Sequence, residues 1–169
     1  SIPNERVELG RLLEAGSTGM GETVIVLERC HGQHSGGAHG MQLPLTAEQR
    51  TSLRGRRRTL CGQEVLLQLP RQGPLAPGDL LSDSQDSNLV RVMAAKEKLL
   101  EVRAESPLHL LQAAYHLGNR HVALDLQPDR LLLLDDPVLA SMLLGRGLQL
   151  RSCEQPFQPE GGAYEQHHH

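Results

Sequence analysis

Aromatic side chains are almost missing from this 169-residue chain: Tyr115, Tyr164 and Phe157 make up 2% of it, and there is no tryptophan. That leaves no stacking platform for unpaired bases, and any core must be built from leucine, valine and alanine. A basic excess is missing too. Seventeen Lys and Arg against twenty Asp and Glu give a net charge of −3, which offers no general attraction to nucleic acid or to an anionic membrane. No apolar run approaches the roughly 20 residues that span a bilayer, and the N-terminus lacks the basic and apolar regions of a signal peptide. A cytoplasmic protein with neither membrane nor nucleic acid as partner is expected. Cys30, Cys61 and Cys153 are odd in number and far apart, which suits reduced thiols better than a disulfide framework.

Catalytic signatures are absent as well. The chain contains no HExxH, P-loop, GxGxxG or nucleophile elbow, and no nucleophile lies beside a recognisable base. The expectation is that it is not an enzyme.

What is present is punctuated β sequence followed by an alternating pattern. Residues 1–21 show only weak helical spacing and a Gly16–Gly19 break, and no function is assigned to them. From residue 22 to residue 95 the pattern predicts short strands at Thr23–Glu28, Arg56–Leu60, Glu64–Leu69, Gly78–Ser82 and Leu89–Ala94, separated by Pro, Gly and Asp-rich turns. This is a small all-β domain. The polar run Ala94–Lys98 reads as the domain boundary, a restricted hinge rather than a long tether. Residues 96–155 then give strand (Leu99–Arg103), helix, strand (Val122–Leu126), strand (Arg130–Leu134), helix and strand (Leu148–Cys153), with Ser106-Pro107 and Asp136-Pro137 as helix starts. Leu139, Met142 and Leu143 are the expected buried stripe of the second helix. That βαββαβ order is the ferredoxin-like motif, so the fold class is α+β. Residues 156–169 lack periodicity and read as a flexible tail ending in His167, His168 and His169.

The central stretch is Tyr115-His116-Leu117-Gly118-Asn119-Arg120-His121. Leu108–Leu117 has the apolar density of a largely buried helix, Gly118 can close it in the left-handed region, and His121 follows the cap. A second histidine group lies in Cys30-His31-Gly32-Gln33-His34-Ser35-Gly36-Gly37-Ala38-His39. Imidazole and thiolate suit zinc, nickel and copper. The spacing matches no zinc finger, however, and a solvated loop is the preferred reading, with His31, His34 and His39 as weaker candidates. His116 and His109 lie about two turns apart on one helix face; both read as structural, with His116 the weaker candidate ligand. Arg50, Arg54, Arg56, Arg57 and Arg58 form the one basic cluster. A solvated β face is its first reading, and docking onto an acidic partner is the second.

Tyr115–His121 resembles the signature of the UreE family of urease accessory proteins. Leu45-Thr46-Ala47-Glu48-Gln49-Arg50, Leu69-Pro70-Arg71, Gly78-Asp79-Leu80-Leu81 and Pro156–Tyr164 are similar to further landmarks of that family, in the same order. The resemblance implies a β domain likened to the peptide-binding domain of a co-chaperone, then the ferredoxin-like domain. It implies a homodimer that binds Ni(II) at its interface through His121 of both subunits and delivers it to urease. The tail histidines His167, His168 and His169 would complete the shell; an affinity-tag remnant is their competing origin, and the matching Gly161–Tyr164 favours a native tail. The implied partners are the accessory GTPase UreG and the apo-urease complex, with Zn(II) or Cu(II) as competing ions in vitro. Some members carry extra histidines where this chain has Leu134-Asp135-Asp136-Pro137, which puts an auxiliary site in doubt. The other reading is a protein-interaction adaptor in urease maturation that binds no metal.

Overall fold

The computed structural model describes residues 23–33 and 40–162. The chain folds into two units.

The first unit is all-β, and takes in described residues up to Pro44 together with Ser52–Arg71 and Ala76–Met93. Its strands are β1 (Ile25–Leu27), β2 (Arg29–Gln33), β3 (Met41–Leu45), β4 (Arg54–Arg58), β5 (Glu64–Gln68), β6 (Asp79–Ser82) and β7 (Leu89–Ala94). They form a three-stranded sheet in the order β1-β5-β4 and a four-stranded sheet in the order β2-β6-β7-β3. β1 runs parallel to β5, and β4 runs antiparallel to it. The core is aliphatic, as the composition requires: Leu27, Leu43, Val65, Leu67, Leu81 and Val90 are fully buried. Each such side chain contributes about 1.5–3 kcal/mol on leaving water. The expected first strand, Thr23–Glu28, is confined to Ile25–Leu27, and Cys30–Gln33, expected as part of a solvated loop, instead belong to β2, which lies in the other sheet.

The second unit comprises Leu45–Thr51, Gln72–Leu75 and the described residues from Ala94 onward. After the short helix α1 (Ala47–Thr51) come β8 (Lys96–Arg103), α2 (Pro107–Asn119), β9 (Asp125–Leu126), β10 (Leu131–Leu134), α3 (Pro137–Gly145) and β11 (Gln149–Pro156). The strand order is β11-β8-β10-β9, antiparallel throughout. This is the ferredoxin-like βαββαβ arrangement. Both helices start as the sequence predicts. Ser106 accepts from the His109 N–H at 3.1 Å, and Asp136 accepts from Val138 and Leu139, each with proline just inside the helix. Of the expected α3 stripe, Leu143 is fully buried, and Leu139 and Met142 pack against its cluster.

The run Leu131–Leu133 of β10 is explained by burial on both faces, while Leu134 at its end is exposed. Leu131 and Leu133 join Leu100, Val102, Leu117 and Leu143 in one cluster, while Leu132 joins Leu99 and Phe157 in another. A strand covered on both sides reads as continuous apolar sequence rather than as an alternation.

Four local expectations are corrected. The polar run Ala94–Lys98 falls at the boundary between the two units, as expected, but it is not all linker: β8 begins at Lys96, and Lys96–Lys98 pair with Glu154–Pro156 of β11. The strand expected over Val122–Leu126 is confined to Asp125–Leu126. Helix α2 is not largely buried: only Ala113 and Leu117 are, whereas Leu108, Leu111 and Tyr115 are each about two-thirds exposed, at 64%, 67% and 67%. The tail expected from Pro156 onward is anchored in its first part. Phe157 is fully buried, and the Arg50 guanidinium on α1 donates to its carbonyl oxygen. Gln158 N–H then donates to the Asp125 carboxylate at 3.3 Å, and Glu160 N–H to the Leu124 carbonyl at 2.7 Å.

Candidate functional site

His121 owes its position to the way α2 ends. Gly118 and Asn119 remain in the helix and Arg120 is its C-cap, at φ −90°. The left-handed residue is His121 itself, at φ 59°. Its N–H donates to the Gly118 carbonyl at 3.0 Å, and the Val122 N–H reaches back to the Leu117 carbonyl at 3.1 Å. This is a Schellman closure with a histidine in the slot that glycine usually fills. A non-glycine residue in the left-handed region costs about 1–2 kcal/mol. The expected glycine closure at Gly118 fails because the helix runs one residue further than its glycine.

The strained turn leaves His121 exposed at the rim of a groove of about 430 Å³. One wall comes from α2 (Ala114, Gly118), another from Leu124 and Leu126, and the third from Glu160, Gly161 and Gly162. The tail reaches this groove because Phe157 and the two hydrogen bonds beyond it lay it along Leu124–Asp125. Glu160 is therefore a second ionisable group lining the same groove as His121. It lies in the Pro156–Tyr164 stretch that the family resemblance marks, but no periodicity or spacing points to its place in the groove, since only the docking of the tail brings it there. A smaller apolar groove of about 260 Å³ adjoins on the same side of α2, lined by Leu111, Ala114, Leu126 and Pro128 among others. The exposed Leu108, Leu111 and Tyr115 recur at helical spacing along α2 and continue this apolar surface.

The other candidate histidines are distributed elsewhere. His116, half-buried in the last turn of α2, stacks edge-on against Tyr115 with ring centroids 5.8 Å apart. His109 Nε2 lies 3.0 Å from the Arg146 carbonyl, so its N–H caps the end of α3, a structural role as expected. His31 lies on β2, with Nε2 2.7 Å from Ser82 Oγ and 3.3 Å from Asp86. Ser82 in turn donates to Asp86 at 2.6 Å. The hydroxyl accordingly accepts from His31. The hydrogen bond that Ser82 donates to Asp86, together with nearby Arg29, holds the Asp86 carboxyl below its ordinary value. Serine, histidine and aspartate meet here, but not as a catalytic triad. The serine gives its proton to the carboxylate, and both oxygens face the same ring nitrogen, so the imidazole cannot take the serine proton while the aspartate steadies its other nitrogen. His34, His39, His167, His168 and His169 lie outside the described residues. Among the described residues, no three His, Cys, Asp or Glu side chains converge as a metal-holding group.

The cysteines divide by environment. Cys61 is exposed in the β4–β5 turn, where the Thr59 hydroxyl at 3.2 Å lowers its thiol pKa. Burial, with Glu101 nearby, raises that of Cys153.

A β domain and a ferredoxin-like domain with an exposed histidine beside an apolar helix face define a two-domain protein of the α+β class. Residues 25–95 match the family model for the UreE urease accessory protein N-terminal domain, and residues 97–169 match the model for its C-terminal domain. The chain belongs to the UreE family of urease accessory proteins. It is 65% identical over 127 residues to the urease accessory protein UreE of Parasynechococcus marenigrum (strain WH8102), covering 75% of this chain and 85% of that protein. It is 63% identical to the UreE of Synechococcus sp. (strain CC9311), covering 76% and 83%. With the UreE of Nostoc punctiforme it shares 47% identity, covering 75% and 86%. Among the described residues no helix is long and apolar enough to cross a membrane.

Proposed function

We propose that this protein is a cytoplasmic nickel metallochaperone, not an enzyme, which binds Ni(II) between two copies of the chain and delivers it for assembly of the urease active site. The observation that carries this reading is the juxtaposition on α2: an exposed His121 at the end of a helix whose Leu108, Leu111 and Tyr115 face outward. Such a contiguous apolar face marks an interaction surface. A two-fold axis running past it makes a self-complementary contact that brings the same histidine from each copy together. One imidazole is a poor site, whereas two give a rigid pair of nitrogen donors of the kind nickel accepts.

His167, His168 and His169 add exchangeable ligands, and the docked segment 157–162 starts that tail beside His121. A shell that is partly fixed and partly mobile holds its ion and can also release it. Zn(II) and Cu(II) compete for the same donors in vitro. The receiving partners are the accessory GTPase UreG and the apo-urease complex. Nickel titration by calorimetry, with light scattering, tests the proposal. Stoichiometric binding by a dimer, abolished by His121→Ala, is the expected result. A protein that binds no nickel at stoichiometric level is instead an adaptor in urease maturation.

A further inference from the structure

The basic cluster of the β domain is unused by that reading, and its geometry is specific. β4 is the outer strand of the β1-β5-β4 sheet. Arg54, Arg56 and Arg58 are exposed on one face, while Gly55 and Arg57 are half-buried on the other. Glu64 provides the only acidic partner among the described residues, at 3.5 Å from Arg56 and 3.0 Å from Arg58. Arg54 has no ion pair there. Two guanidinium groups thus share one carboxylate and the third has none among the described residues, in a chain whose net charge is −3.

The backbone of this edge is as selective as its side chains. Thr59 N–H donates to the Gln63 carbonyl and Leu69 N–H to the Leu53 carbonyl. In the antiparallel register Arg54↔Gln68 to Arg58↔Glu64, these bonds turn the odd-numbered main-chain groups of β4 towards β5. Those of Arg54, Arg56 and Arg58 face outward. Two of the outward carbonyls are already occupied: Ser52 Oγ donates to Arg54 O at 2.9 Å, and Arg57 Nη1 to Arg56 O at 2.7 Å. Gly55 makes the second bond possible, because a Cβ there would lie 2.9 Å from Arg57 Nη1. The edge therefore keeps its N–H donors and hides acceptors. A further β-strand needs both, whereas a carboxylate needs only donors.

We infer that the outer edge of β4 is a docking strip for an acidic, extended segment of a partner protein, gripped by Arg54, Arg56 and Arg58. Side chains on one face of a strand repeat about every 7 Å, so a segment with a carboxylate at every second residue meets all three. Nucleic acid is the weaker match, since the strip has no aromatic side chain on which bases could stack.

The test is fluorescence anisotropy of the full chain with a labelled eight-residue peptide of alternating Glu and Ser, beside a Lys/Ser peptide and a short oligothymidylate. The acidic peptide is expected to bind, and to be weakened by salt because the contacts are exposed. An exposed ion pair is worth about a two- to fivefold change in affinity, so the triple change Arg54→Gln/Arg56→Gln/Arg58→Gln should weaken binding about tenfold or more. Glu64→Gln removes the competing carboxylate and should tighten it. Arg54→Gln alone, an unpaired surface change, gives a readable loss if the triple variant does not fold. Absence of binding to the acidic peptide, equal binding by the Arg54→Gln and triple variants, or tighter binding of the oligothymidylate each overturns the inference.

Discussion

His121 and Gly147 occupy the same position in two successive helix closures. At the end of α3, Gly147 N–H donates to Leu144 O and Leu148 N–H to Leu143 O, matching bond for bond the pattern His121→Gly118 and Val122→Leu117 at the end of α2. Both residues have positive φ, 84° and 59°. One closure uses the residue that takes this conformation without strain, while the other puts up with a histidine. Backbone strain retained at an exposed imidazole fits the role proposed for that side chain.

This pairing predicts opposite mutational signs. His121→Gly should be more stable than His121→Ala by about 0.5–1 kcal/mol, because both lose the imidazole and only glycine relieves the strain. Gly147→Ala should cost about 1 kcal/mol. The new Cβ would meet nothing nearer than His109 Cε1 at 3.7 Å, so the cost is conformational. Urea denaturation of the three variants checks this, and His121→Ala proving the most stable would refute the strain.

Nickel binding should weaken with acidity. A coordinating imidazole must be unprotonated, so affinity should fall as pH drops through the imidazole range, around 6–7, with protons released on binding. Calorimetry in buffers of different ionisation enthalpy measures that release. Affinity unchanged between neutral and mildly acidic pH would mean that carboxylates or backbone hold the ion.

Phe157 should be the anchor of the tail. Removing this fully buried ring by Phe157→Ala should cost about 3–5 kcal/mol. Arg50→Ala, which frees the carbonyl that the guanidinium holds, should cost less and speed amide exchange at Gln158 and Glu160. Hydrogen-exchange mass spectrometry separates the two. Unchanged protection in Arg50→Ala would show that the ring alone holds the segment.

Acid stability should depend on Glu101. Burial alone would raise this carboxyl, but hydrogen bonds from Arg103 (2.6 Å) and Arg151 (2.7 Å) outweigh it and leave it below its ordinary value. A depressed folded value means stabilisation that is complete above the unfolded value of about 4.3 and is lost as pH falls through the folded one. Stability should therefore hold from neutrality down to about pH 5 and decline below about 4. The decline should be shallower in Glu101→Gln, and an identical acid slope in that variant would exclude the assignment.

Thiol reactivity should follow the two environments. Cys61, exposed and with its pKa lowered by Thr59, should alkylate before Cys153, whose burial keeps it a thiol. Peptide mass spectrometry after brief iodoacetamide treatment reads the order directly.

Punctuation and periodicity alone determined much of this protein. The βαββαβ order, both proline-led helix starts and the buried stripe of α3 were all legible, because caps and apolar spacing are local properties of the chain. The motif around His121 was legible through its resemblance to the family. Tertiary structure decided the rest. An apolar helix reads the same whether its face meets the core or solvent, so only the packed domain shows that Leu108, Leu111 and Tyr115 point outward. Gly118 looked like the helix terminus, yet the closure falls where Leu117 and Val122 can both stay in contact with the core, which leaves His121 in the strained slot. Arg50, Phe157 and Glu160 carry no periodic signal. Their roles arise from hydrogen bonds that join Arg50 to Phe157 and Leu124 to Glu160 across long stretches of chain, and no local pattern encodes such distances.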